Sequence, residues 1–100
     1  MPAYVVIVRE GPIHTPSEME EYQRKGAKNG VDPNLLPLAI YGAQTPLEGN
    51  PPDGVVVLQF PTVEDAKAWY FSEGYQDASK HRRAAAPYWG VIVEGFEMPK

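Results

Sequence analysis

The sequence predicts an α+β fold: strands and helices in the order β-α-β-β-α-β, giving one four-stranded antiparallel sheet with both helices on one face. Three observations carry this. Four short apolar runs, within 3–9, 35–43, 55–60 and 88–96, have the length and the β-branched content of strands. Two of them lead into a helix-start signal, IHTPSE at Thr15 and FPTVED at Thr62. Right-handed crossovers then bring both helices to the same side of the sheet.

The first run places Tyr4, Val6 and Val8 on one face and Val5 and Ile7 on the other, and Glu10-Gly11-Pro12 ends it. A helix is predicted from Pro16 to Lys28. Thr15 stands at the cap, Pro16 at the first turn and Glu18 at the capping-box position. Met19, Tyr22 and Gly26 share one side of that helix, and Asn29-Gly30 stops it. Leu35 to Ala43 forms the second strand, with Pro37 near its start. TPLEGNPPD at 45–53 is a loop long enough to reach over a neighbouring surface.

Val55 to Phe60 forms the third strand, ended by Pro61. Thr62 caps the second helix with Asp65 in the capping-box position, and Val63, Ala66, Trp69 and Tyr70 make its buried stripe. Ser72 and Gly74 interrupt it. Tyr75, Ala78, Arg82 and Ala85 then recur at helical spacing as far as Pro87, and Tyr88 to Phe96 supplies the last strand. The tail Met98-Pro99-Lys100 is expected to be loose.

Strands that are apolar on successive residues need cover on both faces, whereas the two helices can shield only one. Each Å² of apolar surface left wet forgoes about 25 cal/mol, so a second copy packed sheet against sheet is expected: a homodimer.

One hundred residues suit a single domain, 1–100. The net charge of -4 argues against nucleic acid as a partner, since phosphate binding needs a clustered positive field. The absence of cysteine removes disulfides, thiolate nucleophiles and thiolate metal sites, and favours a cytoplasmic location. The N-terminal apolar run is too short for a signal sequence or a membrane span. His14 and His81 stand far apart and no H-E-x-x-H occurs, so no metal is expected. No Walker loop, G-x-G-x-x-G or G-x-S-x-G is present either, and no cofactor is expected.

Trp69, Tyr70 and Tyr75 either pack as core or line a pocket; Trp69 reads first as core, and Tyr75 as either. Lys80-His81-Arg82-Arg83 lies in the last turns before Pro87, where cations complement the helix dipole and His81 faces solvent. Arg82 differs because it shares the Tyr75 stripe and so points inward. A buried guanidinium needs a carboxylate, from Glu48, Glu94 or a ligand. His14 reads as the residue before a helix cap, packed near Met19, or as a general base.

The stretch QFPTVEDAKAWYFSEGYQ, followed by Arg82 and the alanines, resembles domain-of-unknown-function family 1330. PLEG at Pro46–Gly49, the opening strand and Tyr22 fit the same pattern. The resemblance covers nearly the whole chain. It implies a ferredoxin-like protomer of the dimeric α+β barrel superfamily, which includes cofactor-independent monooxygenases and small isomerases. Gln59 stands where the family has Glu, Glu73-Gly74 replaces Pro-Glu, and Thr15-Pro16 replaces an acidic residue before the first helix.

Together these readings predict a homodimer that binds a small, partly apolar or anionic molecule beside the second helix. Trp69, Tyr75 and Arg82 form the pocket, with Tyr22 and Tyr4 as further walls. The alternative is an enzyme on the same fold, in which Arg82 stabilises an enolate or phenolate and His14 or a tyrosine moves a proton.

Overall fold

The computed structural model describes residues 1–99; Lys100, part of the tail expected to be loose, lies outside the described residues. The elements are β1 (Ala3–Arg9), α1 (Pro16–Asn29), β2 (Leu36–Ile40), β3 (Gly54–Phe60), α2 (Val63–Tyr70), α3 (Glu73–Ala85) and β4 (Tyr88–Glu94). The strands lie in the order β2-β3-β1-β4 and every neighbouring pair is antiparallel, so this is the ferredoxin-like arrangement.

Register explains why the strands are apolar on successive residues. Ala3, Val5 and Ile7 of β1 share one face with Phe60, Leu58 and Val56 of β3; all six are buried and form the core with Ala66 of α2. The opposite face carries three cross-strand rows: Val93-Tyr4-Gln59, Val91-Val6-Val57 and Trp89-Val8-Val55. Val8 is buried and the other β1 and β3 members are half-buried, but the β4 ends of the rows stand open. Trp89, Val91 and Val93 are 47%, 48% and 47% exposed.

Three sequence expectations are corrected. Thr15 makes no side-chain cap, because its hydroxyl pairs with His14 Nδ1 at 2.8 Å. The Glu18 carboxylate, expected to complete a capping box, instead meets His81 Nδ1 at 2.6 Å. His81 therefore faces α1 rather than solvent.

The interruption of the second helix falls at Phe71-Ser72. Ser72 caps α3 by accepting from the Tyr75 N–H at 3.3 Å, as Thr62 caps α2 by accepting from Asp65 N–H at 3.1 Å. Gly74 lies inside α3, and its carbonyl accepts from Asn29 Nδ2 at 2.8 Å. A Cβ at Gly74 would come within 3.3 Å of that amide, so the glycine lets the end of α1 approach the start of α3.

β2 is shorter than expected. Pro37 pairs with Leu58 and Ala39 with Val57, so the strand bulges between them. The bulge lets Pro37 and Ile40, three residues apart, both face the helix side, where an unbroken strand would send them to opposite faces. Tyr41 then takes a left-handed φ of 51°, rare for an aromatic residue, and ends the strand.

α1 has no fully buried residue. It packs chiefly on α3, tied by Glu18–His81, by Lys25–Asp77 at 3.0 Å and by Asn29–Gly74. Asp77 also holds Lys80, and these two lysines depress its carboxyl to about 2. Helix and sheet are thus held apart, leaving a cavity of about 900 Å³ between them.

Gly54 marks a close approach in this frame. A Cβ there would lie 2.6 Å from the Tyr41 ring, and that ring is anchored by its hydroxyl, 2.8 Å from the hydroxyl of Tyr88. Gly54→Ala is expected to destabilise by about 1–3 kcal/mol through overpacking. In a Tyr41→Ala background the same change should cost less, a coupling that urea denaturation of the four proteins in a double-mutant cycle would measure.

Candidate functional site: a buried arginine in a ring of tyrosines

The α3 stripe predicted from spacing is real: Ala78, Arg82 and Ala85 are buried and Tyr75 is half-buried. Arg82 is only 4% exposed. Its Nε has neither solvent access nor a hydrogen-bond partner. Its Cζ lies 4.6 Å from the Tyr88 ring centre and 5.9 Å from that of Tyr22, so cation–π attraction covers part of the lost hydration. Among the described residues no carboxylate comes within ion-pair distance of it. Glu48 and Glu94, the protein partners considered from the sequence, are both exposed and unpaired with it.

The surrounding hydroxyls come in pairs. Tyr22 and Tyr75 meet at 3.3 Å, and Tyr41 and Tyr88 at 2.8 Å. Burial is the main cause that pushes the Tyr75 hydroxyl well above the usual tyrosine range, reinforced by Tyr22 and opposed by Arg82. Burial likewise raises Tyr41, followed by its bond to Tyr88. Both stay protonated at neutral pH, and within each pair one hydroxyl donates while the other accepts.

Aromatic rings continue the wall. Tyr75 lies 4.1 Å from Trp69 between ring centres, and Trp69 lies 5.4 Å from the core residue Phe60. The arrangement is a hollow with apolar sides and one cationic, donor-rich end, suited to an anion with an apolar body. No group of three or more His, Cys, Asp or Glu among the described residues could hold a metal ion.

Of the residues singled out from the sequence, Tyr22, Trp69, Tyr75 and Arg82 all line the large cavity. Tyr4 does not, which corrects its place as a wall. It pairs with Gln59 and Val93 on the sheet face away from the core, because alternation sends it opposite to Ala3 and Val5. His14 is exposed beside Thr15 and lines neither this cavity nor the smaller one next to it, so the structure does not bring it to the site.

Two site residues escaped the sequence reading, Tyr41 and Tyr88. Tyr88 had a signal, since it follows Pro87 as the first strand residue and pairs with Arg9. Tyr41 had only the nearness in space of Gly54.

The sequence profile of the family described as Domain of unknown function (DUF1330) matches residues 2–96. The chain belongs to that family. No curated protein sequence matches it. Among solved structures, the chain is similar to the methylated RPA0582 protein, with a TM-score of 0.68 and 16% identity over 99% of this chain and 84% of that one. RPA0582, a protein of unknown function from Rhodopseudomonas palustris, matches in a further structure at a TM-score of 0.63 and 17% identity, over 97% of this chain and 84% of that one. A Nitrosomonas europaea protein assigned as an antibiotic biosynthesis monooxygenase matches at 0.57 and 18%, over 97% of this chain and all of that one. At these identities the likeness establishes the shared fold.

A guanidinium held for folding and one held for a ligand respond differently to removal. Arg82→Met is expected to leave the unliganded protein within about 1 kcal/mol of wild-type stability, or above it, because an uncompensated buried charge is lost along with the cation–π contacts. A loss of about 3–5 kcal/mol in chemical denaturation would instead mark a structural ion pair.

The tyrosines add a pH signature. A hydroxyl whose folded pKa is raised contributes stability that is fully present below its unfolded value near 10 and is lost as pH climbs toward the folded value. Stability should therefore fall above about pH 10, and Tyr75→Phe should flatten that fall in denaturation curves taken at successive pH values.

Proposed function

We propose that this chain is a cytoplasmic homodimeric domain that binds a small, partly apolar anion between α1 and the sheet. The ligand's charged end sits on Arg82 and its body lies against Tyr22, Trp69 and Tyr75. The observation that carries the reading is the buried, unpaired guanidinium opening onto a cavity of about 900 Å³. A buried cation without a counter-charge costs several kcal/mol, and a carboxylate arriving from solvent would remove most of that cost.

The homodimer is supported by the three apolar rows, whose β4 members Trp89, Val91 and Val93 are exposed and whose one polar residue is Gln59. A second copy laid face to face would cover them and give the dimeric barrel that the family resemblance implies.

An enzymatic reading has one supporting observation, the fold shared with the Nitrosomonas europaea protein assigned as an antibiotic biosynthesis monooxygenase. In that version Arg82 would stabilise an enolate or phenolate. The exposed position of His14 leaves a tyrosine to move the proton. Binding is the better supported of the two: Arg82 offers a fixed buried cation, whereas the carboxylate on the cavity wall, Asp32, is engaged in accepting from the Asn34 N–H at 2.8 Å.

The cavity reading makes a specific variant informative. Gly26 lines the cavity from inside α1, and a Cβ built there meets nothing within 4 Å. Gly26→Leu should raise stability by about 0.5–1 kcal/mol through helix propensity while filling the ligand's space.

Benzoate and related aromatic acids should raise the melting temperature of the wild type, by about 2.7 kcal/mol of stabilisation at 100 times Kd. They should do nothing for Gly26→Leu or Arg82→Met. An unchanged response in both variants would overturn the site; oxygen uptake with a phenolic substrate, lost in Arg82→Met, would favour the enzymatic version. Sedimentation should show a dimer that Val91→Glu dissociates.

A further inference from the structure

Arg82 and Ile7 line a second, smaller cavity of about 330 Å³, which lies under α2 and α3 against β4. Its chemistry differs from that of the large one. The charged residues on its wall are Lys67, Arg82 and Arg83, and no Asp or Glu lines it. This is unusual in a chain where acidic residues outnumber basic ones, 13 to 9.

Outside this cavity some cations are paired and others, Arg9 and Lys28, hold no carboxylate among the described residues. Arg24 holds Glu21, and Lys25 and Lys80 both hold Asp77. Lys67, Arg82 and Arg83 come from two different helices, hold no carboxylate among the described residues, and converge on one cavity.

The rest of the wall is apolar. Tyr70 and Phe71, edge to face at 5.1 Å, stand on one side, and Phe71 is 67% exposed although it is a large hydrophobic residue. Val5, Ile7 and Ile92 belong to or pack against the core and close the inner side. Three donors of positive charge around a small apolar chamber match a compact dianion carrying an aromatic or short aliphatic body. The large cavity offers one cation, Arg82, with Asp32 also on a wall that the tyrosines share, and suits a singly charged acid.

We propose that the smaller cavity is a second anion site, which takes a small dianion of the aromatic phosphate-ester or dicarboxylate class onto Lys67, Arg82 and Arg83. The two sites share Arg82 as their common wall, so occupancy of one changes the field felt by the other. The proposal goes beyond the reading of the large cavity and is tested separately from it.

The test uses phenyl phosphate as the dianion and benzoate as the singly charged probe, titrated calorimetrically into the intact protein. Lys67→Ala/Arg83→Ala alters two exposed helix residues and so should keep the fold. Phenyl phosphate is expected to bind the wild type and to lose at least tenfold in affinity in that double variant. Its affinity for Gly26→Leu, in which only the large cavity is filled, should stay unchanged.

No binding of phenyl phosphate to the wild type would overturn the proposal. So would a loss of less than tenfold in the double variant, or loss of binding in Gly26→Leu, which would place the dianion in the large cavity. Benzoate binding reports on the large cavity alone and is expected to survive Lys67→Ala/Arg83→Ala, so either site can fail without the other.

Discussion

A guanidinium held out of water among aromatic rings, with no carboxylate beside it, constrains everything around it. Arg82 cannot shed its proton to escape the cost of burial. The fold supplies partial compensation, with the ring of Tyr88 at 4.6 Å and a circle of tyrosine hydroxyls, but no opposite charge. Such an arrangement stores unfavourable electrostatic energy in the folded state, and the natural release for it is an anion from outside.

The architecture is arranged so that this release is accessible. α1 is fastened to α3 along its length by polar contacts and stands away from the sheet, so the space that a helix would ordinarily fill with side chains is open. Gly26 keeps the middle of that helix free of a side chain, and the bulge in β2 turns both Pro37 and Ile40 toward the same space. Gly54 admits the Tyr41 ring, whose hydroxyl holds Tyr88 beneath the guanidinium. The bulge after Pro37, the left-handed Tyr41 and Gly26 all border the hollow. Irregularities that cluster in this way fit a site shaped for contents more than one packed for stability.

The parts of this picture that were legible in the sequence are those governed by periodicity and by capping chemistry. The runs of successive apolar residues in 3–9 and 55–60, the cap at Thr62 and the stripe from Tyr75 to Arg82 all depend on near neighbours in the chain, and the structure reproduces them. What could not be read depends on contacts between distant segments. Glu18 looks like a capping-box acid until α3 brings His81 within 2.6 Å of it. Tyr4 looks like a pocket wall until the packing of Ala66 against Val5 and Ile7 shows that the helices take the other face of β1. Tyr41 and Tyr88 are 47 residues apart, and nothing local in either announces that their hydroxyls meet.

The claim that Arg82 waits for an anion is tested most directly by a crystal structure of the protein soaked with 4-iodobenzoate, the iodine located by its anomalous scattering. The account predicts the carboxylate about 2.7–3.2 Å from the Arg82 guanidinium and the iodine in the hollow beneath α1, near Trp69 and Tyr75. A structure in which α1 lies directly on the sheet and Arg82 pairs with a carboxylate of the protein itself would contradict it.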